Sequence, residues 1–133
     1  MDLSADPAGA RVAAQSVRDL FNRAGHDAAF ACELAVAEAS ANVVEHALED
    51  DAQSFSLVLR LGRGRYVAAV SDRGRPFAPD MLPEVPPAGV DSGRGLALLG
   101  SCMERVRFRR VGDENRLLMA RRVTTDGATE ARP

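Results

Sequence analysis

Apolar residues recur along this chain in two different periods, and the change of period divides it into elements. After a short polar start, Met1 to Asp6, Pro7 fits the first turn of a helix with Ser4 or Asp6 as N-cap. Val12, Val17, Leu20 and Phe21 follow at helical spacing, and Gly25 supplies a stop. A second helix is predicted from about Asp27 to Leu48. There Phe30, Leu34, Ala37, Ala41, Val44 and Leu48 step by three or four and define one apolar face. The acidic run Glu49-Asp50-Asp51 ends it.

The period then drops to two. Ser54 to Leu61 reads as a strand with Phe55, Leu57, Leu59 and Leu61 on one face, and Gly62 to Arg65 reads as a hairpin turn. Tyr66 to Ser71 is the partner strand, and its Val67-Ala68-Ala69-Val70 run predicts burial on both faces. Asp72 to Gly93 is rich in proline and glycine and too long for a simple connection, which marks it as a functional loop. A helix is predicted from Gly93 or Arg94 to about Met103. Arg105 to Val111 alternates, with Val106 and Phe108 inward and Arg105, Arg107 and Arg109 outward. A turn over Gly112 to Asn115 leads to a last strand, Arg116 to Val123, and Thr124 to Pro133 has the composition of a tail. Helices set apart from hairpins predict an α+β fold, with helices covering one face of a mostly antiparallel sheet.

At 133 residues the chain has the length of one domain, and 46% hydrophobic with 27% charged residues is ordinary for a globular protein. The net charge of -2 points away from nucleic acid as a partner. All of the basic charge outside histidine is arginine, so no mechanism here uses a lysine. The two cysteines, Cys32 and Cys102, fall in helical apolar patterns and read as small buried hydrophobes with reduced thiols. No apolar run approaches the roughly 20 residues of a membrane span, and no signal-peptide pattern opens the chain; the expected compartment is the cytoplasm.

Three segments carry candidate chemistry. Glu38, Asn42 and His46, spaced by four, form a polar stripe on one side of the second helix. A carboxylate there suits a base acting on a hydroxyl, and an amide oxygen is a hard ligand suited to Mg²⁺. Glu45 lies on nearly the same side as Glu38. Asp72 ends an apolar strand and precedes Gly74; such a carboxylate can accept a hydrogen bond from the exocyclic amine of adenine. Gly93-Arg94-Gly95 opens a helix, where free N–H groups and the positive dipole end favour phosphate, and Arg94 adds a charge-assisted contact. Taken singly, each segment also fits a plainer account: solvated helix residues, a strand-ending turn, a flexible helix start. A dinucleotide fold would need a third glycine and a parallel βαβ unit, and a Walker loop would need a lysine. Neither histidine pairs with a serine or cysteine in a known motif, and no zinc-ligand spacing exists.

In order, the three segments resemble the GHKL (Bergerat-fold) ATPase superfamily, and most closely the anti-sigma-factor serine/threonine kinases of bacterial partner switching. The resemblance covers about Pro7 to Val123. Glu38-x-x-x-Asn42 with His46-Ala47 is similar to the N-box, and Asp72-x-Gly74 with Pro76-Phe77 to the G1 box. Gly93-Arg94-Gly95-Leu96 with Leu98-Leu99 is similar to the Gly-Arg-Gly-Leu box. It implies a two-layer α/β sandwich with an ATP lid over Asp80 to Ser92, and ATP and Mg²⁺ as cofactors. Asn42 would bind the metal and Glu38 would be the base. The nucleotide contacts would come from Asn42, His46, Asp72, Gly74, Phe77, Gly93, Arg94, Gly95 and Leu96. The implied partners are a STAS-domain antagonist and a sigma factor or similar regulatory target, without nucleic acid or membrane. Two alternatives stay open: a non-catalytic or weakly nucleotide-binding regulatory module, and a switch kinase that activates a phosphatase. The chain departs from the family pattern in four places, two of them a short, proline-rich lid and a late Gly-Thr element represented only by Gly112 to Asn115. Arg75-Pro76 stands where the G1 box has its second glycine. The strand that family members carry ahead of the first helix is missing from this reading, which leaves homodimerisation open.

Overall fold

In the computed structural model, residues 1–24, 28–50, 54–74 and 94–124 are described, with the side chains of 23, 24, 46–50 and 94–97 left aside. The elements are β1 (Asp2–Ser4), α1 (Pro7–Ala24), α2 (Ala29–Asp50), β2 (Ser54–Gly62), β3 (Arg65–Asp72), α3 (Arg94–Cys102), β4 (Arg105–Val111) and β5 (Glu114–Arg122). The strands form one antiparallel sheet in the order β1-β2-β3-β5-β4. The helices lie against one face of it, and α2 packs on both α1 and α3. The α+β architecture expected from the segregated periods is the one observed.

The first strand corrects the sequence reading. Leu3 pairs with Phe55, and Met1 exchanges main-chain hydrogen bonds with Leu57 (2.8 and 3.1 Å). Three residues with one buried side chain are too short to show a period, so only pairing with β2 reveals the strand. The corner into α1 is tightly built. The Asp6 carboxylate accepts the Gly9 N–H (2.8 Å) and the Ser4 hydroxyl (2.8 Å), which makes Asp6 the N-cap. Those two hydrogen bonds hold its carboxyl below the usual aspartate range. Gly9 packs so closely on β1 that a Cβ there would lie 1.8 Å from the Ser4 carbonyl oxygen.

Within α1, Ala13, Val17 and Phe21 are buried, whereas Val12 faces solvent. The expected apolar face of α2 is turned away from the sheet. Phe30 is 78% exposed, Ala41 is exposed, and Leu34, Ala37 and Val44 are half-buried. The buried stripe is Cys32, Ala35, Val36, Ala39, Ser40 and Val43. Small side chains let this central helix sit close on the sheet, and the larger ones project from the other side.

The hairpin between β2 and β3 turns on two residues, Arg63 and Gly64, both with positive φ (55° and 73°), so β3 begins one residue earlier than expected. Ala68 and Val70 are buried, but Val67 and Ala69 are half-buried on the far side of the sheet, so β3 is covered on one face rather than two. The last hairpin turns at Gly112 (φ 62°) and Asp113. Glu114 and Asn115 therefore belong to β5 and not to the turn. Tyr66 is fully buried against Phe21, ring centroids 5.4 Å apart; burial pushes its hydroxyl pKa up. Cys32 is buried as expected, while Cys102 is half-buried. No described helix is long and apolar enough to cross a membrane.

Candidate functional site

The site grows from the end of β3. Asp72 and Gly74 form an Asx turn: the Gly74 N–H donates to Asp72 Oδ1 (2.8 Å), which stops the strand and fixes the carboxylate. Antiparallel register places Asn115 of β5 directly across from Asp72, and Arg110 of β4 across from Asn115. The three side chains lie in one row on the helix-facing side. The Asn115 amide donates to Asp72 Oδ1 (3.2 Å) and to the Gly74 carbonyl (3.4 Å). The Arg110 guanidinium donates to the same carbonyl (2.7 Å), to Asn115 Oδ1 (3.2 Å) and to the Gly112 carbonyl (3.1 Å). One carboxylate oxygen of Asp72 is thus held by the fold, and among the described residues Oδ2 takes no hydrogen bond.

Asn115 and Arg110 are absent from the residues singled out by sequence. A signal was present for both. Stepping back by two from the apolar Leu117 puts Asn115 on the inner face, and stepping on by two from Phe108 does the same for Arg110. Placing Asn115 in the turn hid the first.

Asp72 opens onto a narrow cleft between α2 and the sheet. Its walls include Ala39, Asn42 and Val43 of α2, Val70 and Asp72 of β3, Phe108 of β4, and Asn115 and Leu117 of β5. Asn42 and Asp72, distant in sequence, therefore face the same space, an apolar slot with a fixed carboxylate at one end and an amide at its side. The Asp72 carboxylate can accept a hydrogen bond from a donor on the edge of a group that enters there. Among the described residues, no three histidine, cysteine, aspartate or glutamate side chains gather to hold a metal. A lone amide oxygen fits Mg²⁺, which keeps most of its waters and takes phosphate oxygens as further ligands.

The remaining expected residues are placed less centrally. Glu38 is half-buried and does not line the cleft; its charge acts on the Cys102 thiol at the C-terminal end of α3. Burial, more than Glu38, pushes the thiol pKa up, and Arg121 opposes both. Glu45 is exposed on α2. His46 lies in α2, and Arg94, Gly95 and Leu96 form the first turn of α3, whose Leu99 is buried against the core. Phe77, Gly93, Arg75-Pro76 and the stretch from Asp80 to Ser92 lie outside the described residues, as do His26 and residues 125–133.

A two-layer α+β unit with a strand-end carboxylate over a helix–sheet cleft defines a class of small-ligand-binding domain. The comparisons narrow the class. A family model described as a histidine kinase-like ATPase domain matches residues 3–121, and the chain belongs to that family, within the GHKL superfamily. Among solved structures, the fold is similar to a chain from "The crystal structure of the RsbU and RsbW domains of Rv1364c from Mycobacterium tuberculosis". The TM-score is 0.62 at 19% identity, over 93% of this chain and 32% of that one. The curated proteins give no match.

Proposed function

We propose that this chain is an ATP-dependent serine/threonine kinase of the anti-sigma type, which phosphorylates a STAS-domain antagonist and, when free, holds a sigma factor or similar target. The observation that carries the nucleotide part is the Asp72 carboxylate, fixed through Oδ1 by Gly74 and Asn115 while Oδ2 takes no hydrogen bond from the described residues, at a cleft shared with Asn42. In this reading Oδ2 accepts the adenine amine, the apolar walls take the ring, Asn42 holds Mg²⁺, and the first turn of α3 receives the phosphates. Bound Mg²⁺ would supply charge neutralisation on the phosphates; the chain itself binds, orients and removes a proton. Phosphoryl transfer depends mostly on such positioning. Membership of an ATPase family and likeness to a structure titled for an RsbW domain support the reading.

The position of Glu38 favours a second reading. Glu38 is not among the residues that line the cleft, as suits a nucleotide-sensing module that acts by protein contact without transfer. One experiment separates the two. Calorimetry with ADP and Mg²⁺ tests binding, and transfer from labelled ATP to a STAS-domain antagonist tests chemistry. The kinase reading expects Glu38→Ala to keep ADP affinity within a few fold while transfer falls by about 10²–10⁴-fold, the usual contribution of a general base. Exposed Glu45→Ala should stay active. Binding without transfer by the unaltered chain would select the second reading, and no heat with ADP would leave only a non-catalytic module that acts by protein contact without nucleotide.

A further inference from the structure

The sheet face turned away from the helices carries an unusual distribution of charge. Alternation along the strands sends Arg60 of β2, Arg65 of β3, Arg105, Arg107 and Arg109 of β4, and Arg116 and Arg122 of β5 to that side. Among the described residues, the acids that the strands place there are Asp2 and Glu114, and Glu114 pairs with Arg116 (2.9 Å). A chain with a net charge of -2 thus has one strongly positive face. Register also gives this face a centre. Val58, Ala69 and Leu118 lie in one cross-strand row, and Val67 and Ala120 in the next. Val58 is 47% exposed. Arginines border these rows on the β4 side and at both ends.

Two ladder positions oppose like charges directly, Arg109 with Arg116 and Arg65 with Arg122. Such pairs are destabilising on a sheet. Charged residues on β4 guard an edge strand against pairing, but that does not account for Arg65, Arg116 and Arg122 on interior strands. The repulsion has a use if an anionic surface relieves it.

We infer that this outer sheet face docks an acidic protein surface, one that sets carboxylates against the arginine frame and a small apolar group against Val58, Ala69 and Leu118. An apolar centre within a polar, arginine-rich rim is the anatomy of a protein interface, and a guanidinium can donate two parallel hydrogen bonds to one carboxylate. A second copy of this chain is a poor occupant, because a two-fold contact would set arginine against arginine. Nucleic acid is also less suited: the strands put no aromatic side chain on this face for bases to stack on. The inference is independent of the nucleotide site, which lies on the other side of the sheet.

The test uses the full chain and a fluorescein-labelled peptide alternating glutamate with leucine, read by anisotropy across a salt series, beside labelled duplex DNA. The peptide should bind, weaken as salt rises, and lose at least tenfold in affinity with Arg105→Glu/Arg107→Glu. Val58→Asp should weaken it severalfold, and Arg11→Glu on α1 should change nothing. Arg105→Gln/Arg107→Gln, which introduces no new acid, should fall between, and circular dichroism melts check that every variant folds. Absence of peptide binding at low salt, affinity indifferent to both arginine variants, or tighter binding of the DNA would each overturn the inference. So would a dimer in sedimentation velocity that Arg105→Glu/Arg107→Glu dissociates, since the face would then be a contact between copies.

Discussion

Asp72 alone is a flexible carboxylate; Asn115 and Gly74 turn it into an oriented one. Asn115 is 8% exposed, and its amide bridges the Asp72 carboxylate and the Gly74 carbonyl. Removing it should therefore act twice. Asn115→Ala is expected to lower stability by about 1–3 kcal/mol, the cost of leaving buried partners unsatisfied, and to weaken ADP through a loosened Asp72. Asp72→Asn should weaken ADP by about 1–3 kcal/mol by direct loss at the cleft. Urea melts and calorimetry on the two variants check the split. Should Asp72→Asn bind ADP like the unaltered chain, the adenine contact is misassigned.

At the scale of elements, the β1–α1 corner is the most constrained joint described. Alanine normally favours a helix over glycine by up to about 1 kcal/mol. At Gly9 its Cβ would meet the Ser4 carbonyl at 1.8 Å, so the backbone must shift. Overpacking of this kind costs about 1–3 kcal/mol, which outweighs the propensity gain. Gly9→Ala should lower stability, while Gly62→Ala, with open space around its Cβ, is the control. The Asp6 cap makes a prediction about pH. Its folded pKa lies below the unfolded value, so its contribution is present above the ordinary aspartate range and lost as pH falls through the folded pKa. Asp6→Ala should thus lower the melting temperature at neutral pH, and the gap should narrow in acid. A gap that does not change with pH would mean that the cap does not act through its charge.

At the scale of the whole molecule, the three helices among the described residues share one sheet face while the other carries the arginines, so the chain presents two surfaces of different chemistry. Ligand bound at the helix side should stabilise the domain as a unit. A ligand at one hundred times its dissociation constant adds about 2.7 kcal/mol if it binds the folded state alone. Mg·ADP at that level should raise the melting temperature by several degrees, and chelating the metal should reverse part of the shift. Asp72→Asn should show a smaller shift at the same concentration. Equal shifts in both proteins would place the nucleotide elsewhere.

Much of this protein is determined locally. The change of period from helical to alternating marks α1, α2, β2, β3, β4 and β5 almost to their ends, and in α1, β2, β4 and β5 it follows the face that is buried. The ordered motifs around Asn42, Asp72 and Gly93 resemble those of the ATPase family, and the family model over residues 3–121 bears the resemblance out. Tertiary structure decided the rest. β1 exists because β2 offers it hydrogen bonds, and no three-residue segment announces that. Which side of α2 meets the sheet was settled by packing: both sides carry apolar residues, and the side of small residues allows the closer approach. Asn115 and Arg110 entered the site because the register of β3, β5 and β4 set them in one row with Asp72. Register is a property of paired strands, and a single strand does not contain it.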